Sequence, residues 1–187
     1  ARLDANGNLD LLLPLAKDRE GRPMSYRIEA EVEDESRRAE SAQTRVVAYP
    51  ASVNVGVETG RYVYDAGKPI EINLQTHDLK NAGVSAPVKL ELLRQEWEYK
   101  NNKWVNNETK LSQKEVVTHA GGKLQTTLTS EKGGGYIIRA TVRDTQGRTS
   151  VTENFVWVIK AGENWNWYVR DMSLRLDKKT YAVGDTA

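Results

Sequence analysis

The side chains able to do chemistry are few. Two histidines, His77 and His119, stand among Asp78, Asp144 and several serines. A Ser-His-Asp triad or a His-carboxylate metal site requires such groups to converge, and nothing in their spacing points to convergence. Both histidines fall at the ends of expected strands, where exposed polar residues are routine. The chain has no cysteine, which removes disulfides, thiolate nucleophiles and Cys-based zinc sites. Glu31, Glu33, Asp34 and Glu35 form an acidic cluster, but calcium wants about six to eight oxygens gathered on loops. Glu31 and Glu33 instead point outward along a strand, balanced by Arg37 and Arg38 in the adjoining turn. Gly133-Gly134-Gly135 precedes a strand and lacks a following Lys-Ser or Lys-Thr, so it reads as a flexible turn and not a phosphate cradle. No catalytic, cofactor-binding or metal-ligating residue is assigned.

Tryptophan offers a different chemistry, that of contact. Trp97 and Trp104 flank Asn101-Asn102, and Trp165 and Trp167, with Tyr168, come after the last expected strand. Exposed indole is a common platform for sugars or protein partners. For Trp165, Trp167 and Tyr168 the expected role is packing one domain against the next. For Trp97 and Trp104 it is pairing across a hairpin.

Composition narrows the partners. Of 187 residues, 28% are charged and 39% hydrophobic, with 27 Lys plus Arg against 26 Asp plus Glu. The signs are interspersed, so there is no electrostatic footprint for nucleic acid or an anionic membrane. No apolar run approaches the ~20 residues of a membrane helix, and Ala1 does not open a signal peptide. The expectation is a chain that neither binds nucleic acid nor inserts directly into a membrane.

The elements that must position these residues are repeated. Tyr26-Arg-Ile-Glu-Ala-Glu-Val-Glu-Asp34 returns as Tyr136-Ile-Ile-Arg-Ala-Thr-Val-Arg-Asp144, an offset of 110 that continues through Arg38 and Arg148 to Val46 and Val156. Asn6-Gly7-Asn8-Leu9 resembles Gly121-Gly122-Lys123-Leu124, and Val55, Val57 and Tyr64-Asp-Ala-Gly67 resemble Leu174, Leu176 and Tyr181-Ala-Val-Gly184. A period the size of a small domain reads as a slice of a tandem array. Residues 1–50 are expected to close one domain and 51–160 to form a complete one. Residues 161–170 then form a Trp-rich junction, and 171–187 open a successor.

Tyr26, Ile28, Ala30 and Val32 alternate with Arg27, Glu29, Glu31 and Glu33, the pattern of a half-buried strand. Asp144-Thr-Gln-Gly147-Arg148 supplies an Asp to bond the following backbone and a Gly for positive φ, closing a hairpin onto Val151 to Ile159. In the earlier copy Arg37 holds the Gly position, so that turn is expected to be longer or reshaped. Further strands are expected at 53–58, 70–76, 88–99, 116–119 and 124–129. Together they form an all-β, antiparallel sandwich of immunoglobulin or fibronectin type. Within 88–99 the apolar phase slips between Leu92 and Leu93; a β-bulge there reconciles it, and a short helix through Leu90, Leu93 and Trp97 is the rival. Asn101-Asn102 suits a two-residue hairpin turn.

Tyr26-Arg-Ile-Glu-Ala-Glu-Val-Glu-Asp34, Val46-Val-Ala-Tyr-Pro50, Tyr62-Val-Tyr-Asp-Ala-Gly-Lys-Pro69 and Gly134-Gly-Tyr-Ile-Ile-Arg-Ala-Thr-Val-Arg-Asp144 resemble, in order and spacing, the domain borders of bacterial alpha-2-macroglobulins, as does Leu176-Asp-Lys-Lys-Thr-Tyr-Ala-Val-Gly-Asp-Thr186. The resemblance implies macroglobulin sandwiches preceding the bait-region domain of a protease trap. It implies a periplasmic protein anchored to the inner membrane by an N-terminal lipid outside this chain, a role in bacterial defence, and neighbouring domains and target proteases as partners. The family's thioester needs a cysteine, so its reactive residues have no counterpart here. The chain is therefore expected to be non-catalytic scaffold without a cofactor. The alternatives are an adhesive or carbohydrate-binding module, or an accessory domain of an extracellular hydrolase.

Overall fold

One turn recurs along this chain and sets its hairpins. In the computed structural model, which describes residues 2–15, 18 and 20–162, Asp34 receives the backbone N–H groups of Ser36 and Arg38 on its carboxylate, and Asp144 does the same for Gln146 and Arg148. The pattern returns at Asp4, Asp18 and Asp78. The fourth residue of each turn has positive φ. Glycine fills that place at Gly7, Gly21 and Gly147, and Asn81 tolerates it. The turn at Arg37 is neither longer nor reshaped. Arg37 takes φ 62 and the backbone closes from Asp34 to Arg38 as it does from Asp144 to Arg148, because the Asp carboxylate and the backbone bonds hold the loop whatever side chain stands there.

The strands are β1 (Met24–Glu33), β2 (Ala39–Ala48), β3 (Val53–Thr59), β4 (Val63–Asp65), β5 (Ile70–Asp78), β6 (Pro87–Lys100), β7 (Lys103–Val117), β8 (Lys123–Leu128), β9 (Gly134–Arg143) and β10 (Thr149–Ile159). Among the described residues there is no helix, and so none that could cross a membrane. Among the described residues β1 and β2 pair only with each other. The other strands form a five-stranded sheet, β4-β10-β9-β6-β7, and a three-stranded sheet, β3-β5-β8. Every pairing among them is antiparallel except β4 with β10.

Val55, Val57, Ile70, Ile72, Leu74 and Leu128 of the smaller sheet meet Val88, Leu90, Leu92, Tyr136, Ile138, Ala140, Val142, Val156 and Val158 of the larger one, all buried. The fold class expected from the alternation therefore holds. Tyr136 carries a polar tip into this core, and it is satisfied: its hydroxyl donates to the Lys132 carbonyl and accepts from Ser130. Side chains close both open edges of the sandwich. Thr152 and Asn154 of β10 donate to the carbonyls of Val55 and Val57 on β3. Lys114 of β7 donates to Thr126 and to the Thr127 carbonyl on β8, and its burial there pushes the ammonium pKa down.

Two expectations need correction. The strand placed at 116–119 is the end of β7, which starts immediately after the Asn101-Asn102 turn. Beyond Gln95, β6 loses β9 and pairs with β7 alone, so Glu96 to Asn107 form a two-stranded ribbon wetted on both sides. No face is buried, and the alternation that marks a strand is absent. The register does shift at Leu92/Leu93, but the extra residue is Leu111 on β7, while β6 stays in step with β9. Nor is there a helix through Leu90, Leu93 and Trp97. The apolar phase never slipped: Leu93 and Ile137 are buried on the outer face of the larger sheet, beside Phe155.

Candidate interdomain surfaces

Where the β1–β2 hairpin meets the sandwich, charge and backbone lock the junction. Asp144 is only 6% exposed. Its Oδ2 accepts the Ser52 N–H and hydroxyl, each at 3.0 Å, and the Arg148 guanidinium at 2.8 Å. The Ser52 N–H contributes most to holding this carboxyl well below the usual range, with Arg148 reinforcing it against the opposing effect of burial. On the other side, the Val151 N–H donates to the Gly21 carbonyl, and Arg22 pairs with Glu153. Glu153 also pairs with Arg139, which reaches Glu108 on β7. A β-carbon at Gly21 would sit 2.9 Å from the Thr149 carbonyl oxygen, so glycine is needed for this approach.

The sign of the Asp144 effect is fixed by these partners. A carboxylate whose folded pKa lies below its unfolded value of ~3.9 stabilises fully above about pH 4 and loses that contribution as pH falls below it. Asp144→Asn should therefore lower the melting temperature at neutral pH and flatten the acid limb of stability. Parallel acid limbs in wild type and variant, followed by tryptophan fluorescence between pH 7 and pH 2, would contradict this account.

Among the described residues the histidines and serines do not assemble a reaction centre. The Asp144 carboxylate binds serine and arginine, with no histidine on it. His77 places Nδ1 against the Asp78 carbonyl and its ring edge-on to Tyr49. His119 heads a turn of the same backbone form as the Asp turns and borders a shallow depression with Glu58, Gln75 and Lys123. Among the described residues no group of three or more His, Cys, Asp and Glu is placed to hold a metal, and Glu31, Glu33, Asp34 and Glu35 are exposed.

The second surface is aromatic. Tyr99 and Trp104 are paired across the ribbon with ring centroids 5.3 Å apart, in place of the pairing of Trp97 with Trp104 expected from the sequence. Trp97 is opposite Asn106 and shares their face. Trp97 is 47% and Trp104 62% exposed. Asn101 and Asn102 both take positive φ, the tight turn their types allow, which holds these rings without a loop. Trp165, Trp167 and Tyr168 lie outside the described residues. Sequence reading passed over a second cluster on the same sheet face. Phe155 and Trp157 are 5.1 Å apart, Tyr62 is 5.9 Å from Phe155, and the Trp157 indole N–H donates to the Tyr62 hydroxyl. The signal was present, since Phe155 and Trp157 occupy alternate, outward positions of β10.

The chain is thus an all-β sandwich preceded by a hairpin that repeats the register of its own last hairpin, with aromatic and charged contacts at its borders. The whole chain aligns at 27% identity with an alpha-2-macroglobulin homolog of Nostoc, covering 10% of that protein. In structure it is similar to the native conformation of Escherichia coli alpha-2-macroglobulin, with a TM-score of 0.57 and 14% identity over 87% of this chain and 12% of that one. Salmonella alpha-2-macroglobulin reacted with methylamine gives a TM-score of 0.55 and 11% identity over 73% of this chain and 10% of that one. No family model matches the chain. The comparisons bear out the resemblance to bacterial alpha-2-macroglobulins, and the chain spans about a tenth of the length of these relatives.

Proposed function

We propose that this chain is non-catalytic scaffold within an alpha-2-macroglobulin-like protease trap, holding bait and thioester elements that lie elsewhere. The observation that carries the reading is the alignment of the whole chain with the Nostoc homolog. The domain plan is part of the proposal: residues 1–50 close a preceding sandwich, 51–160 form a complete one, 161–170 are the junction and 171–187 begin the next. Its support is register. Tyr26 faces Val46 as Tyr136 faces Val156, and the match persists to Val32 with Glu40 and Val142 with Ser150. The inward set buried in β9 is open in β1, where Val32 is 44% exposed against 1% for Val142.

On this reading the parent is periplasmic and lipid-anchored, its partners are neighbouring macroglobulin domains and target proteases, and short connections such as that at Pro50 are where sandwiches rotate after cleavage. The test uses the full-length parent with a broad-specificity protease. A trapped protease should lose activity on large protein substrates, keep it on small peptides, and leave the 51–160 sandwich uncut. Undiminished digestion of large substrates overturns the reading.

A second reading is favoured by one observation, the exposure of Trp97 and Trp104. A carbohydrate-binding module would use such rings as a stacking platform. A glycan array on the isolated chain separates the two, with Trp104→Ala abolishing any signal if the ribbon is the platform.

A further inference from the structure

The two aromatic clusters occupy one face of the five-stranded sheet. Trp157 is in register with Gly135, and Gly135 with Gln95, two residues before Trp97. Gly135 is what joins them. A β-carbon there would meet the Phe155 ring at 2.9 Å, so its absence lets Phe155 lie across β9 towards β6. β9 starts at Gly134, so beyond it the end of β10 and the ribbon of β6 are separated by a one-strand gap, about 10 Å between strand axes. The result is an aromatic surface bounded by Tyr62, Phe155 and Trp157 on one side and by Trp97, Tyr99 and Trp104 on the other, with Gly133 to Gly135 between them. Tyr62 is 59% exposed and Tyr99 58%.

We propose that this surface docks the segment Asn164-Trp165-Asn166-Trp167-Tyr168 of the same chain, fixing the sandwich to the C-terminal part of the chain. This goes beyond the protease-trap reading and does not depend on it. The chain leaves β10 at Ile159, two residues past Trp157, and turns at Ala161-Gly162, where Gly162 takes φ 82. Trp165 is six residues from Ile159, at most about 20 Å of extended chain, which is enough to bring it back over Trp157 or across to Trp97. Trp165 and Trp167 alternate, so an extended segment presents both indoles to one side. A surface of edge-packed rings suits such a ligand, because indole faces and edges pair in offset or T-shaped arrangements. The occupant needs no diffusional encounter, since its tether supplies a high effective concentration.

The test is nuclear magnetic resonance on the 187-residue chain. Contacts are expected between the Trp165 or Trp167 rings and the glycine α-protons of Gly133 to Gly135. In the Trp165→Ala/Trp167→Ala double variant, the indole signals of Trp97, Trp104 and Trp157 should shift, and amide exchange at Gly134 and Gly135 should accelerate about tenfold. Absence of those contacts in the unaltered chain overturns the proposal even if the variant misfolds. So does a double variant with unchanged indole signals, or an oligosaccharide that perturbs Trp97 and Trp104 without disturbing Trp165 or Trp167.

Discussion

Ile138→Ala should destabilise the sandwich by about 3–4 kcal/mol, whereas Ile28→Ala, the same change at the matching register of the earlier copy, should cost less than about 1 kcal/mol. Ile138 has no exposed surface and sits in the core, on the same face as Leu92 and Asn154. Truncating it removes transfer free energy and leaves a cavity that close-packed strands cannot collapse into. Ile28 faces Thr44 in β1–β2, partly buried, and among the described residues no second sheet lies across from it. Urea denaturation followed by far-ultraviolet circular dichroism measures both. The contrast also tests the proposed domain plan. In a parent whose preceding sandwich covers β1–β2, Ile28→Ala should become as damaging as Ile138→Ala. Equal effects of the two substitutions in the isolated chain would mean that β1–β2 is already covered.

What could be read from sequence was whatever has a local cause. The alternation in β1 and β9 names the buried face, and the Asp at the head of each turn names the hydrogen bonds that close it. The offset of 110 is realised as identical register in two hairpins. Features set by distant neighbours were not legible. β4 is three residues long and exists because Trp157 to Ile159 offer a parallel edge to Val63 to Asp65. β7 carries charge on both faces because its first half leaves the sheet, so no period marks it. Arg37 misled because a positive φ argues for glycine only when the rest of the turn is weak; here the Asp34 carboxylate holds it.

The candidate surfaces divide the same way. Trp97 and Trp104 were legible as a hairpin pair region, although the observed partner of Trp104 is Tyr99 and Trp97 is only its diagonal neighbour. Trp157 was hidden inside a strand whose even-numbered residues, Val156 and Val158, supply the core. Its outward position acquires meaning only when β4 brings Tyr62 to it and Gly135 lets Phe155 lie over the neighbouring strand. Ser52 is an ordinary serine in sequence. It becomes the chief partner of Asp144 because the chain from the hairpin enters the sandwich beside the β9–β10 turn.

Gly122→Ala should cost about 3–4 kcal/mol, and Gly147→Ala in a turn of the same backbone form only about 1 kcal/mol. Both glycines have positive φ, 76 and 78, so both substitutions carry the strain of a left-handed L-residue. At Gly147 nothing lies within 4 Å of the added β-carbon. At Gly122 the β-carbon would fall 2.0 Å from the Thr76 carbonyl oxygen and 3.1 Å from the Gly83 α-carbon, which are backbone atoms and cannot rotate away. The turn would have to move, and buried bonds would move with it. The Thr76 N–H donates to the Gly122 carbonyl, and the Thr76 hydroxyl is shared with Thr118 and the Val84 carbonyl. Stranding those buried groups adds a desolvation penalty to the strain. Thermal unfolding of the two variants side by side decides the matter. Similar losses at Gly122 and Gly147 would show that φ alone governs these turns and that the packing of His119 to Gly122 against β5 contributes little.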